Sequence, residues 1–178
     1  MKKFRFQLLH DWIVGHFKPC RVGDVGGGKG LISLLLNNDG FQSVVIDPYN
    51  QTLPSKYTGL EGARHKISDA ITVPRITRAF EKEMAKDFDL LLGLHAHGSN
   101  MKIIEAAAEY KINFILLPCC VIDEPIVPQT NIDWFDSLEQ YANALGIKTE
   151  RFELNFRGQN TGFYSVGGEN TVRGVKKK

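Results

Sequence analysis

Disulfide chemistry has little to work with in this chain. Its 178 residues hold three cysteines, Cys20, Cys119 and Cys120, an odd number with two adjacent. That is a poor disulfide framework. No Cys-x-x-Cys spacing is present, and a reducing, cytoplasmic setting is the expectation. Long apolar runs are also missing. None approaches the ~20 residues needed to span a bilayer, so no membrane partner is expected. Residues 1–17 carry Lys2, Lys3 and some apolar side chains, but Gln7, His10 and Asp11 interrupt the run. No small-residue cleavage site comes after it, which argues against a secretion signal. Charge of one sign is lacking as well. The net charge of +2 permits a nucleic-acid partner without demanding one. Internal repeats and low-complexity segments are absent. The length suits one domain with one sizeable core.

Glycine, by contrast, is plentiful, and it clusters. Residues 21–48 read RVGDVGGGKGLISLLLNNDGFQSVVIDP. A short apolar run ends in a carboxylate and glycines. Next come a helical apolar stretch over 31–36 and a second apolar run over 44–46 that ends in Asp47. Strand, glycine turn, helix, strand, acid is the first half of a nucleotide-binding βαβ unit. Gly26, Gly28 and Gly30 have no Cβ, so backbone there can approach a ligand closely and adopt positive φ.

Three motifs compete for these glycines. The dinucleotide fingerprint needs a glycine where Leu31 stands. The P-loop pattern fits from Gly23 through Lys29, but Gly30 replaces the hydroxyl residue that would hold magnesium. Asp/Glu-x-Gly-x-Gly-x-Gly is matched at every fixed position by Asp24, Gly26, Gly28 and Gly30. A glycine turn with no ligand and an NAD or FAD site remain the alternatives.

At this turn the chain resembles the class I S-adenosylmethionine-dependent methyltransferases. The resemblance implies S-adenosylmethionine as cofactor. Asp24, Gly26, Gly28 and Gly30 would line its methionine moiety, and Asp47, followed by Pro48, would take the ribose hydroxyls. That family commonly uses an Asp after strand three to accept the adenine amino group. Asp69, followed by Ala70, is the candidate, with Leu94 at the end of strand four also facing the cofactor. Asp69 has a structural reading too, as the N-cap of a helix marked by Ile76, Phe80 and Met84.

The rest of the chain fits an α/β plan. Residues 4–17 read as an amphipathic helix packing on the sheet edge through Leu8, Leu9, Trp12, Ile13 and Phe17. Residues 64–67 read as the third strand. Residues 89–94, DLLLGL, and 113–117 are near-continuous apolar runs, as expected for strands covered on both faces. Ser99 or Asn100 caps a helix over 101–111. A long loop, VIDEPIVPQTN, is a candidate lid or substrate loop. Trp134, Leu138, Tyr141 and Leu145 mark another helix. Residues 149–156 and 163–166, joined by RGQNTG, read as a terminal antiparallel hairpin. The expected fold is therefore α/β and Rossmann-like. It has a seven-stranded, mostly parallel sheet, helices on both faces and a terminal antiparallel hairpin. Residues 1–168 form one domain with an N-terminal helix, and 169–178 form a disordered basic tail.

Strands four and five of such a sheet are neighbours, and ligands bind at their C-terminal ends. His95, Ala96, His97 and Gly98 therefore lie near Pro118, Cys119 and Cys120. His95 and His97 share one side if the strand stays extended. The ligand types suit zinc, giving one alternative: a zinc or redox protein using His95, His97, Cys119 and Cys120. Adjacent cysteines point in different directions, however, and no metal ligand is assigned. In a second reading His95 and Cys119 line a methyl-transfer pocket, with His95 as general base because imidazole titrates near neutral pH. In a third, the cysteines are buried small apolar residues.

GLHAHG followed by LPCC also resembles a methyltransferase subgroup with His-x-Cys-Gly and Pro-Cys-Cys motifs that includes tRNA ribose 2′-O-methyltransferases. It covers about residues 20–125, and His97 stands where that pattern has Cys. The resemblance implies a methyl acceptor that is RNA ahead of protein or a small molecule. Arg64, Lys66, Arg75, Arg78, Lys82 and the lysine tail form a candidate basic face for phosphates, or a solvated face mixed with Glu81 and Glu83. A non-catalytic S-adenosylmethionine-binding subunit is the other alternative.

Overall fold

The computed structural model describes residues 4–119, 121–126, 128 and 133–167. The chain runs α1 (Arg5–His16), β1 (Arg21–Val25), α2 (Leu31–Asn38), β2 (Gln42–Ile46), β3 (Lys56–Thr58), β4 (Arg64–Lys66) and β5 (Arg75–Ile76). A 3₁₀ helix over Lys82–Asp87 leads to β6 (Leu90–Leu94), α3 (Asn100–Tyr110), β7 (Asn113–Leu117), α4 (Trp134–Ala144), β8 (Thr149–Glu153) and β9 (Thr161–Ser165).

Seven strands form one sheet in the order β5-β2-β1-β6-β7-β9-β8. The pairs β2–β5, β1–β2, β1–β6 and β6–β7 are parallel, and β9 runs antiparallel to both β7 and β8. The expected terminal hairpin therefore closes a mostly parallel sheet. Its central strands are apolar on both sides because each side is covered. On one face, Leu91, Phe114, Leu116 and Phe163 pack with α3, α4 and the 3₁₀ helix through Ile103, Ile104, Leu138, Phe80 and Met84. On the other, Leu90, Leu92, Ile115 and Leu117 pack with α1 and α2 through Leu9, Ile13, Phe17, Ile32 and Leu36. Helix α1 also reaches the β8 edge, where Trp12 stacks on Phe152 at 4.1 Å. That matches its expected packing role.

The structure corrects one part of the plan. Residues 64–67 do not supply the third strand of the large sheet. Arg64–Lys66 instead pairs antiparallel with Lys56–Thr58 in a separate hairpin. The third strand of the large sheet is β5, two residues long, beside β2. The reason lies in the side chains: Arg64, His65 and Lys66 are all exposed, and such a strand cannot enter a covered sheet. The helix expected after Asp69 is also absent. Phe80 and Met84 are buried, but they sit before and within the 3₁₀ helix. The expected tail over 169–178 lies outside the described residues. No helix among the described residues is long and apolar enough to cross a membrane.

Candidate functional site

The glycine turn between β1 and α2 is held from beneath by a carboxylate. Asp24 is 0% exposed, and its Oδ2 accepts a hydrogen bond from Ser33 Oγ on α2 at 2.8 Å. Ser33 Oγ in turn accepts one from Ser43 Oγ on β2 at 2.9 Å. A Cβ at Gly27 would stand 2.3 Å from Asp24 Oδ2, so only glycine lets the turn close over the acid. Gly26, Gly28 and Gly30 all adopt positive φ, the region where a side chain is strained. Burial pushes the Asp24 carboxyl up to about 7, opposed by the Ser33 hydrogen bond and the Arg75 charge. Its buried Oδ1 has no hydrogen-bond partner.

Asp47 ends β2 and faces the turn from the other side. Its Oδ2 accepts from Gly28 N at 3.0 Å and its Oδ1 from Tyr49 N at 2.8 Å. Arg75 of β5 reaches across and donates to the Gly28 carbonyl at 2.8 Å and to the Tyr49 carbonyl at 3.3 Å. Of the expected basic face, then, Arg75 turns inward to clamp the turn. Lys82 pairs with Glu105 at 3.3 Å.

The turn opens on a cleft of about 410 Å³. Asp24, Gly26, Gly28, Gly30 and Leu94 border it, together with Arg5 and Phe6 from the start of α1, Lys29, Gln51 and Lys56. A second hollow of about 410 Å³ shares Gln51 and Pro54 with it and is lined by Ser68, Asp69, Ile71 and Arg75. Asp69 thus reaches this region from the loop after β4, not from the end of the sheet's third strand. It is exposed, as are Ala70 and Pro48. The Ala70 amide donates to Ser68 Oγ at 3.3 Å.

The second constellation sits at the C-terminal ends of β6 and β7. Leu94 borders the cleft, and a Cβ at Gly26 would meet Ala96 at 3.3 Å. His95 lies between these two in sequence but does not line the cleft. The strand stops at Leu94. His95 takes a left-handed φ of 57° and donates its amide to the Leu117 carbonyl at 3.1 Å. The His97 amide bonds the His95 carbonyl at 3.0 Å, making a tight turn. The alternation that would have aligned His95 with His97 is therefore broken. A left-handed non-glycine residue stores strain, which concentrates at functional sites.

His97 Nε2 and Cys119 Sγ lie 3.5 Å apart. Burial lowers the pKa of the Arg5 guanidinium at the cleft's border. Cys120 lies outside the described residues. Among the described residues no group of three or more His, Cys, Asp or Glu could hold a metal ion. Burial pushes the Cys20 thiol up to about 11, too high for ready reaction.

The loop after β7 is tied to the same corner. Neither Ser99 nor Asn100 caps α3 with its own side chain. Glu124 does so instead, accepting from Asn100 N at 2.7 Å, Met101 N at 3.2 Å and Asn100 Nδ2 at 2.7 Å. A carboxylate at a helix N-terminus satisfies orphan donors and meets the helix dipole.

Arg5, Gln51, Lys56 and Glu124 do not stand out in the sequence as parts of the cleft at the glycine turn or of the α3 cap. Their positions depend on how α1 and the loops after β2 and β7 fold over the sheet. Only Glu124 leaves a signal, as an acid in a long loop of the kind that can meet a helix N-terminus.

The sheet order, the glycine turn and the carboxylate closing β2 define the fold of the class I S-adenosylmethionine-dependent methyltransferases. Solved structures agree. A SAM-dependent methyltransferase from Archaeoglobus fulgidus superposes with a TM-score of 0.57 over 90% of this chain and 93% of its own, at 11% identity. One from Agrobacterium tumefaciens does so with a TM-score of 0.51 over 90% of this chain and 59% of its own, also at 11% identity. At that identity the likeness is one of fold. Among curated proteins, the probable tRNA (uracil-O(2)-)-methyltransferase of Caenorhabditis elegans is 32% identical over 103 residues. Its counterpart in Caenorhabditis briggsae is 30% identical over 103 residues. The matched stretch is 58% of this chain and 18% of either relative. No family model matches the chain.

Proposed function

We propose that this chain is an S-adenosylmethionine-dependent methyltransferase unit that acts on RNA, with a ribose 2′-hydroxyl as acceptor. The observation that carries the reading is the cleft at the glycine turn, floored by the buried Asp24, with Asp47 bonded to the turn's Gly28 amide. It is supported by the match to relatives described as tRNA methyltransferases.

The residues present fit that cofactor. The glycine turn leaves a cradle that a Cβ would fill, and Asp24 keeps one buried oxygen without a partner. Asp47 has lone pairs left for ribose hydroxyls besides its two backbone bonds. Asp69 lines the adjoining hollow, where an adenosine would be read, with Ala70 beside it and Pro48 following Asp47. Arg5 and Lys29 are cations suited to a carboxylate. When bound, the cofactor supplies a methyl group activated by its sulfonium centre.

The chain's own contribution is alignment and proton removal. Holding an acceptor oxygen in line with the methyl group is worth several kcal/mol of barrier, on the order of 7 or more in the best cases. A hydroxyl acceptor must lose a proton as its oxygen attacks, and His95, just after the end of β6, is the base. Cys119, beside His97, lines the acceptor side.

Transfer of labelled methyl groups from S-adenosylmethionine into fractionated RNA, protein and small-molecule pools tests this reading. Label is expected in RNA. His95→Ala should lower the rate by about 10²–10⁴-fold with cofactor affinity unchanged. Label confined to protein or small molecules would contradict the RNA reading. An unchanged rate in His95→Ala would remove the base assigned here. Cofactor binding without turnover in any pool would favour a non-catalytic subunit.

A further inference from the structure

The β3–β4 hairpin, which stands apart from the large sheet, has two unlike faces. Tyr57 and His65 lie opposite each other across its ladder and stack at 4.9 Å. Tyr57 packs, with Leu53, on the cluster of Leu31, Leu34 and Leu35 from α2. The Gln7 side-chain amide on α1 donates to the Thr58 carbonyl at 2.7 Å. Two helices thus seat the hairpin. Side chains alternate along a strand and paired residues share a face, so the other face carries Lys56 opposite Lys66 and Thr58 opposite Arg64.

All three cations are exposed, and none forms an ion pair with a described residue. Glu61, near the hairpin's tip, is engaged by His65. Like charges directly opposite destabilise a ladder. Here the pair Lys56–Lys66 stands on a ladder of only three rungs, with no described carboxylate paired to either lysine. Lys56 also borders the cleft, so the row of cations begins at the cleft's edge.

Resting on the RNA reading of the cleft, we propose that this face is a phosphate-docking surface for RNA, which lays the acceptor strand beside the cleft through Lys56, Arg64 and Lys66. An anion removes the repulsion that the bare ladder carries. An acidic protein partner fits less well. Protein interfaces are built around apolar and aromatic centres poor in lysine, and the Lys56, Thr58, Arg64, Lys66 face offers no such centre. Phosphate neutralisation needs only cations.

The test is fluorescence anisotropy with a labelled single-stranded oligoribonucleotide, titrated between about 50 and 200 mM salt. Wild type is compared with the double variant Arg64→Ala/Lys66→Ala. Both residues lie outside the cleft, and their removal relieves repulsion, so the variant should fold. The plot of log affinity against log salt should become shallower by about 1.4, from two contacts at ~0.7 each on a single strand. An unchanged slope, no RNA binding by wild type, or binding of a polyglutamate peptide in place of RNA would overturn the proposal. Calorimetry with S-adenosylmethionine on both proteins keeps the two readings apart. Equal cofactor binding with a reduced slope supports the docking face. Loss of cofactor binding in wild type would defeat the cleft reading, while the slope still decides the docking face.

Discussion

Asp24 shows how one buried side chain shapes the site. It carries its carboxyl under the glycine turn, with Ser33 on one oxygen and no partner on the other. Burial raises its pKa from 3.8 to about 7. A raised carboxyl binds its proton more tightly folded than unfolded. Its stabilising contribution is therefore full below the unfolded value and is lost by the time pH has risen through the folded value. Thermal melts across pH 4 to 8 should show this loss in wild type, and Asp24→Asn should flatten it. An equal slope in both proteins would contradict the assignment. The identity of Asp24 is legible in sequence from its place two residues before Gly26. Its protonation is not, because that depends on Ser33, Arg75 and Asp47 converging from three other segments.

Among elements, the β6–α3 and β7 corners are joined by Glu124. Its three hydrogen bonds to Asn100 and Met101 fix the start of the loop after β7 against the turn that carries His95 and His97. Gly98 N also donates to the Ile122 carbonyl at 3.1 Å. Glu124→Ala should cost about 0.5–2 kcal/mol, the range for a lost N-cap, read from the midpoint of urea unfolding. Glu124→Gln should recover part of it, since an amide oxygen still accepts. A midpoint unmoved by Glu124→Ala would show that the cap carries no load. Most elements are legible because periodicity reports burial. The apolar runs at β6 and β7 and the spacing of Leu9 and Ile13 in α1, with Phe17 just after it, correspond to buried side chains. The third strand is illegible for the same reason. β5 is two residues long, too short to show alternation, while RHK alternates nothing apolar and belongs to an exposed hairpin.

On the scale of the whole molecule, two apolar layers hold seven strands so that every parallel strand ends toward one edge. The glycine turn, Asp47, the His95 corner and the cysteine loop meet there. Local motifs announce the glycine-turn end, since its glycines and acids sit within one βαβ stretch. Contributions from α1 and from Lys56 are hidden, because they come from segments brought in only by the fold. The central claim is that this cleft binds S-adenosylmethionine at the glycine turn. Isothermal titration calorimetry with S-adenosylmethionine or its demethylated product tests it most directly. One-to-one binding by wild type is predicted, weakened at least tenfold (about 1.4 kcal/mol) in Asp47→Ala and in Gly28→Val. No binding by wild type, or equal binding by folded Asp47→Ala and Gly28→Val, would contradict it.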